Sequence, residues 1–425
     1  MIERVFSRLS IAGLCATLVG NGIGRFAFIA LMPALIQAGW CGKADASWLG
    51  VATLVGYVAG ASLSNALAAR FSSAWLLRIS MLVCSLSFLA CAIEGAGLPW
   101  YYLWRTAAGV CGAILMVLPA PVVLPRHAAA IRARTSGVVF SGIGLGAAVS
   151  GLLVPLLIAG FAVSLPVGQP AVSLFHLHGV TGAWLGLGAV CLGLTAVAWR
   201  AWPAEPTSAP DASGGGELPA DMKPAVVLIL LAHGLNAVGY LAHTMFLPDY
   251  VVRELGMPLA TGGFFWSMFG LGAAIGPLLA GSLADVFGLK RCLIAGFGLK
   301  ALSAILPVCS SSSVVLLLSS VLMGVCTPGI VALVSAYALD RVGPLHHRKA
   351  WGMATSSFAL AQAGGGALMA FAAARLDSYH ALFCVSAIAL VGSMACVALI
   401  RERASFEERP ASSDLSPIAT TAPTP

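Results

Sequence analysis

Arg25 is the only Lys, Arg, His, Asp or Glu between Ile11 and Ala38, a run otherwise mostly apolar or small. A lone cation in the middle of a membrane-length apolar run costs about 2.5–3.5 kcal/mol on insertion scales, so it implies a compensating partner. No Asp or Glu lies at comparable depth in any other apolar stretch. Two roles suit Arg25. Its guanidinium fork is shaped to hold a carboxylate or similar group of a solute; alternatively it bonds carbonyls freed around Gly20, Gly22 and Gly24 and serves helix packing. Asn21 joins Arg25 in the candidate solute-binding set.

A second polar group is His233, Asn236, Tyr240 and His243, whose later members follow the first by 3, 7 and 10 residues. On one continuous helix these fall within an arc of about 80°. Such a stripe faces the bundle interior or a wet cavity; it either lines a solute site or makes interhelical hydrogen bonds worth about 0.6 kcal/mol each. His233 and His243 can exchange protons near neutral pH, which makes both candidates for proton coupling. Gln362, the only glutamine inside an apolar stretch of the second half, is a further candidate to hydrogen-bond a solute. Arg105 is another deep cation, open either to an ion pair with Glu94 across a short hairpin or to a coupling role. Asp249 and Lys300 are expected near the ends of their stretches, from which they snorkel, and are assigned no role.

These residues need elements to position them, and composition states which kind. Of the 425 residues, 59% are hydrophobic and 9% charged, whereas a soluble domain carries about 25% charged residues. The chain is therefore expected to be an all-α polytopic membrane protein. Stretches of about 20 residues, enough to cross roughly 30 Å of hydrocarbon, fall at 11–38, 47–69, 76–94, 100–124, 136–163, 179–199, 225–250, 259–284, 290–308, 314–339, 350–374 and 380–400. No strand alternation of the barrel kind competes with these helices. The net charge of +7 comes without a basic run interleaved with aromatics, so no nucleic-acid partner is expected. The eleven cysteines, mostly inside apolar stretches and without a CxxC, read as small apolar residues. No metal, cofactor or ATP site is expected: His176, His178, His346 and His347 lack further ligands, and no GxxxxGK[ST] occurs.

When the loops are dealt alternately to two sides, 17 of the 23 Lys and Arg residues fall on the side of both termini and three on the other, with Arg25, Arg105 and Lys300 inside spans. By the positive-inside rule both termini are expected in the cytoplasm, with the chain in the cell (inner) membrane. Residues 201–223, rich in Pro, Gly, Ala and Ser, read as a linker between a six-helix bundle over 1–200 and another over 224–400, and 401–425 as a disordered tail. A shift of 215 residues lays Asn21-x-x-Gly24-Arg25 and Met32-Pro33 over Asn236-x-x-Gly239-Tyr240 and Leu247-Pro248. The same shift lays Gly109-Val110-Cys111 over Gly324-Val325-Cys326. Two halves in parallel orientation are one of the repeat arrangements of secondary transporters, with a site between them near the midplane.

The whole pattern resembles the major facilitator superfamily. Gly281-Ser-Leu-Ala-Asp285-Val-Phe-Gly288-Leu-Lys290-Arg291 is similar to its loop motif between the second and third helices of each half, which implies a gating role for Asp285, Gly288 and Arg291. The first-half copy, Leu67-Ala-Ala-Arg70-Phe71-Ser72, lacks the acid and the glycine. Arg105-x-x-x-Gly109 looks like the superfamily's second motif, tied in proton-coupled members to coupling. Gly22-Ile-Gly-Arg25-Phe-Ala-Phe28 with Leu31-Met-Pro33, and Gly239-Tyr240 with Thr244-Met-Phe-Leu-Pro248, resemble the YbfB/YjiJ group. The exporter motif of helix 5 is absent in its usual form. The resemblance implies a monomeric secondary transporter of a small organic solute, anionic if Arg25 binds it, working by alternating access and coupled to protons. A passive facilitator, a drug or metabolite exporter and a non-transporting membrane sensor stay open, while an enzyme is not expected.

Overall fold

In a computed structural model the described residues, 5–128, 131–160, 179–203 and 218–401, form helices joined by short turns, with no strand among them. In hydrocarbon every backbone N–H and C=O must find a partner within its own segment, and helices meet that demand locally. Eleven helical stretches are long and apolar enough to span a membrane among the described residues. They are α1 (Arg8–Gln37), α2 (Lys43–Ser64, continuing helical to Arg70), α3 (Ser73–Cys91), α4 (Leu98–Arg126), α5 (Thr135–Ala159), α6 (Gly179–Trp199), α7 (Lys223–Glu254), α8 (Leu259–Phe287), α9 (Leu289–Cys309), α10 (Ser313–Gly343) and, last in the chain, α12 (His380–Leu399). Gly343 has φ +70° and separates α10 from a further helix, α11 (344–373), over the eleventh expected stretch.

The local signals that end these helices are ordinary ones. Ser72 accepts a hydrogen bond from the Trp75 N–H at 3.2 Å and caps α3. Gly288, at φ +84°, closes α8 and opens α9 in one residue, a backbone state that glycine adopts without a Cβ penalty. That turn explains the glycine of the loop motif. At the matching place in the first half, Phe71 is extended and the Ser72 cap does the work, so no glycine is required.

The two halves repeat in packing as well as in sequence. Gly109 of α4 lies directly on the Thr53 backbone of α2, and its mate Gly324 of α10 lies on the Phe269 backbone of α8. Between halves, α5 and α8 meet backbone to backbone, Gly144 against Gly270 and Ala274, and Gly151 against Gly263 and Ser267. Small residues permit such approach, and dispersion plus close packing supplies the attraction that hydrophobicity cannot supply within lipid. On the face remote from the termini the halves share one apolar cluster: Met32, Val51 and Leu54 from the first, with Met245, Phe246, Tyr250, Tyr379 and Phe383 from the second. Lys43 closes the same face, donating to the Leu376 carbonyl at 3.0 Å with its ammonium 4.2 Å from the Tyr379 ring. On the face that carries the termini, Asp285, Gly288 and Arg291 are all exposed.

Both ends of the expected linker dock. Trp202 is buried and its carbonyl accepts from Arg78 at 3.2 Å, while Leu218 and Met222 pack with Val342 and Ala350. The expected tail, apart from Arg401, lies outside the described residues.

Candidate functional site

Two helix interruptions build the site. Within α1, Leu18–Ile23 is a π-helical turn, and Phe26 N–H reaches the Asn21 carbonyl at 3.3 Å before the α-helix resumes at Ala27. Gly22 lies here on the backbone of Gly142 and Gly146 of α5, an approach that a side chain would block. Within α7 the α-helix ends at Gly239, Tyr240 takes φ −106° and ψ −3°, and the helix restarts at Leu241. Such local departures from α geometry recur at functional sites because they re-aim a side chain and free backbone groups. Here each sits beside the same repeat position, occupied by Arg25 in one half and Tyr240 in the other.

The two side chains meet across the interface. Arg25 Nη2 donates to the Tyr240 hydroxyl at 2.7 Å. Gln362 of α11, 1% exposed, faces both. With its amide oxygen turned toward them, the orientation the hydrogen-bond network selects, it accepts from Arg25 Nη2, from Arg25 Nη1 at 3.3 Å and from the Tyr240 hydroxyl. The guanidinium carbon lies 5.2 Å from the Phe26 ring, 5.8 Å from Tyr57 and 6.0 Å from Tyr240. Phe358 stacks on Tyr240 at 5.8 Å. The expected alternative, Arg25 on the carbonyls of its own glycines, is not what the hydrogen bonds show.

A second cation completes the site. Lys300 of α9 is 0% exposed, its Nζ 5.2 Å from the Tyr240 ring and 2.8 Å from Asn236 Oδ1, to which it donates. This corrects the expectation that Lys300 snorkels from a span end. It lies in the middle of α9, about 16 Å from the first residue of the helix at 1.5 Å per residue, too deep for its four-carbon stem to reach water. Asp249 is corrected likewise: it is buried, held by Arg253 at 2.7 Å and by the Tyr379 hydroxyl at 2.5 Å. Neither Arg25 nor Lys300 makes an ion pair among the described residues. Tyr240 thus has two cationic side chains within 6.0 Å of its ring and, among the described residues, no carboxylate paired with either, an arrangement suited to a solute that carries negative charge.

Other expected site residues lie elsewhere. Asn21 donates to the Gly112 carbonyl at 2.9 Å, inside the first half. His243 shares a 2.7 Å hydrogen bond with the Ser319 hydroxyl and lies edge-on to Phe383 at 5.2 Å. The 80° arc assumed an unbroken helix, and the interruption at Tyr240 separates His243 from Tyr240. His233 packs on Phe358 at 4.8 Å and on Trp351 at 5.7 Å, at the rim of the site. Arg105 lies over Phe28 at 4.8 Å, 1% exposed, with no ion pair to Glu94, which is exposed. Asp285, Gly288 and Arg291 stand on the face of the termini, away from Arg25. Sequence reasoning missed Lys300, Tyr57 and Phe358. Only the first left a signal, a cation eleven residues into an apolar run.

Among the described residues no three His, Cys, Asp or Glu are grouped to hold a metal ion. The curated proteins include no match to this sequence. The solved structures do. A point mutant of the nucleoside transporter NupG superposes with TM-score 0.70 at 12% identity, covering 93% of this chain and all of that one. A bacterial homologue of the human lysosomal transporter Spinster, described as inward-facing and occupied, superposes with TM-score 0.67 at 16% identity over 92% of this chain and 93% of that one. At these identities the likeness is one of fold. The family model described as "Uncharacterised MFS-type transporter YbfB" matches residues 17–398, and the chain therefore belongs to this family of major facilitator superfamily transporters.

Proposed function

We propose that this multi-pass membrane transporter moves a small organic anion by alternating access, with the solute's negative group held between Arg25 and Lys300 beside Tyr240. The observation that carries the reading is the pair of cations about one tyrosine, at the junction of the two halves, with no carboxylate paired to either among the described residues. A guanidinium can clamp a carboxylate or phosphate bidentately while an ammonium acts as a point charge. Gln362 and Tyr240 would orient the rest of the solute, and Tyr57 and Phe358 would cover its apolar part. Asn236 acts through Lys300, whose ammonium it aims.

The packed face remote from the termini supports a conformation closed on that side. With both termini in the cytoplasm, as the loop charges favour, the closed side is the outer one and the site communicates inward. Asp285, Gly288 and Arg291, exposed here, would engage when the opposite side closes. The working unit is a monomer in the cell (inner) membrane, driven by the proton gradient, with His233 at the rim of the site as the coupling candidate nearest to it. A passive facilitator is the second reading, favoured by the lack, among the described residues, of a carboxylate at this site, since a carboxylate is a common proton carrier.

The test is a thermal-shift panel of detergent-purified protein against mono- and dicarboxylates, phosphate esters and their neutral analogues, run on wild type, Arg25→Gln and Lys300→Gln. Stabilisation by an anion that both variants lose supports the site. Stabilisation only by neutral or cationic compounds, equal in all three proteins, would overturn it. Uptake of the selected anion into proteoliposomes with and without a pH gradient separates coupled from passive transport.

A further inference from the structure

The central site has a sealed part and an open part. Asn236, Lys300, Gln362 and Tyr240 are buried and already bonded to one another or to Arg25. Arg25, Tyr57 and Phe358 are only half-buried. Arg25 Nη2 is taken by Tyr240 and Nη1 has a long 3.3 Å contact to Gln362. Among the described residues Arg25 Nε has no hydrogen-bond partner and is not closed off from water, and the same holds for the Tyr57 hydroxyl. The surface offered to a solute is therefore one edge of a guanidinium, one phenol and the ring of Phe358.

The approach to that surface is aromatic as well. Trp351, Phe358 and Gln362 follow one another at 7 and 4 residues, along one face of α11. His233 of α7 lies 5.7 Å from the half-buried Trp351 and 4.8 Å from Phe358, which stacks on Tyr240 at 5.8 Å. A polyhydroxylated solute would set its hydroxyls against rings that cannot bond them, and buried polar groups left unmet are costly. A phosphate ester or a dicarboxylate carries more acceptor oxygens than two open donors serve. A monocarboxylate carries two oxygens, and a ring attached to it gains from Phe358 an aromatic contact beyond its buried area.

We propose that the solute is an aromatic monocarboxylate, its carboxylate accepting from Arg25 Nε and the Tyr57 hydroxyl and its ring packed on Phe358. This rests on the reading of the site as an anion site and narrows it to one chemical class.

The test titrates full-length protein in detergent at neutral pH with benzoate, phenylacetate and phenylpropanoate, each beside its cyclohexyl counterpart, and with benzamide. The cyclohexyl acids have the same charge and skeleton and are the more apolar, so buried area alone favours them. The expected result is at least one pair in which the aryl acid binds about 3- to 10-fold tighter, as an aromatic pair contributes, with no binding of benzamide. Phe358→Leu should bring that ratio close to one, and Tyr57→Phe should weaken both members of the pair alike. Acids that bind and are lost in Arg25→Gln, with every cyclohexyl acid equal to or tighter than its aryl partner, would overturn the aromatic class and leave the anion site standing. That comparison needs only wild type and Arg25→Gln, so it decides even if Phe358→Leu fails to fold. An unchanged ratio in folded Phe358→Leu, or no binding of any acid in either series, would overturn the proposal too. Benzamide bound as tightly as benzoate, and equally by Arg25→Gln, would overturn the anion reading beneath it.

Discussion

Arg25 and Tyr240, 215 residues apart, occupy the same position in the two halves of the chain and are joined by a 2.7 Å hydrogen bond from Arg25 Nη2 to the Tyr240 hydroxyl. The repeat therefore does more than duplicate a scaffold. It brings two interrupted helices to one point and lets one half contribute a cation and the other an aromatic acceptor.

Replacing Arg25 by lysine keeps the charge and loses the fork. A charge-assisted hydrogen bond contributes about 1.5–3 kcal/mol, so Arg25→Lys should weaken binding of the transported anion by about 10- to 150-fold in direct titration. The melting temperature of the unliganded protein should stay close to wild type. Equal affinities in the two proteins would show that the fork is not used.

Lys300→Met should separate stability from function. Methionine fills the ammonium's space without its desolvation cost, and replacing buried charge by apolar groups of like volume is often neutral or stabilising. Against that, Asn236 loses its donor, at about 1 kcal/mol. The expected outcome is a melting temperature within a few degrees of wild type with anion transport reduced at least tenfold. Unimpaired transport in a well-folded variant would remove Lys300 from the site.

His243 makes the opposite case. Its bond to Ser319 belongs to a buried set in which the Ser303 and Ser319 hydroxyls each donate to the other's carbonyl, at 2.7 and 2.8 Å. His243→Leu should lower stability by about 1–3 kcal/mol, because it leaves buried hydroxyl capacity unmet, while KM for the transported solute stays unchanged. A KM change with unaltered stability would return His243 to the solute path.

Lys43 links the halves on the closed face. Lys43→Met removes a charge-assisted hydrogen bond and a cation–π contact, together about 1–3 kcal/mol, which shifts a two-state equilibrium by roughly 5- to 150-fold toward opening of that face. Spin labels at Gly42 and Asp377, both exposed, on a background with the exposed Cys309 changed to serine, should report a longer distance population in the variant. Unchanged distance distributions would show that the apolar cluster alone closes the face.

Much of this protein is dictated by its sequence, because a bilayer leaves a chain so little choice. Runs of apolar residues of spanning length must be helices, and their count, their order and the charge bias of their loops are one-dimensional properties. The 215-residue repeat is another: it paired Arg25 with Tyr240 without any knowledge of rotation. What depends on the angular position of a side chain is a different matter. The arc drawn through His233, Asn236, Tyr240 and His243 assumes 100° per residue, and it fails where α7 stops at Gly239 and restarts at Leu241. The π turn at Leu18–Ile23 resets α1 in the same way. Lys300 was expected to snorkel from a span end, although its place within the 290–308 stretch is deep, and its partner was not legible at all, since Asn236 and Tyr240 come to it from another helix 64 and 60 residues earlier. The sequence by itself determined the helices, their two-fold repeat and the presence of cations that hydrocarbon cannot tolerate alone. Tertiary structure decided which of those cations meet, because hydrogen bonds across helices depend on rotations and kinks that hydropathy does not encode.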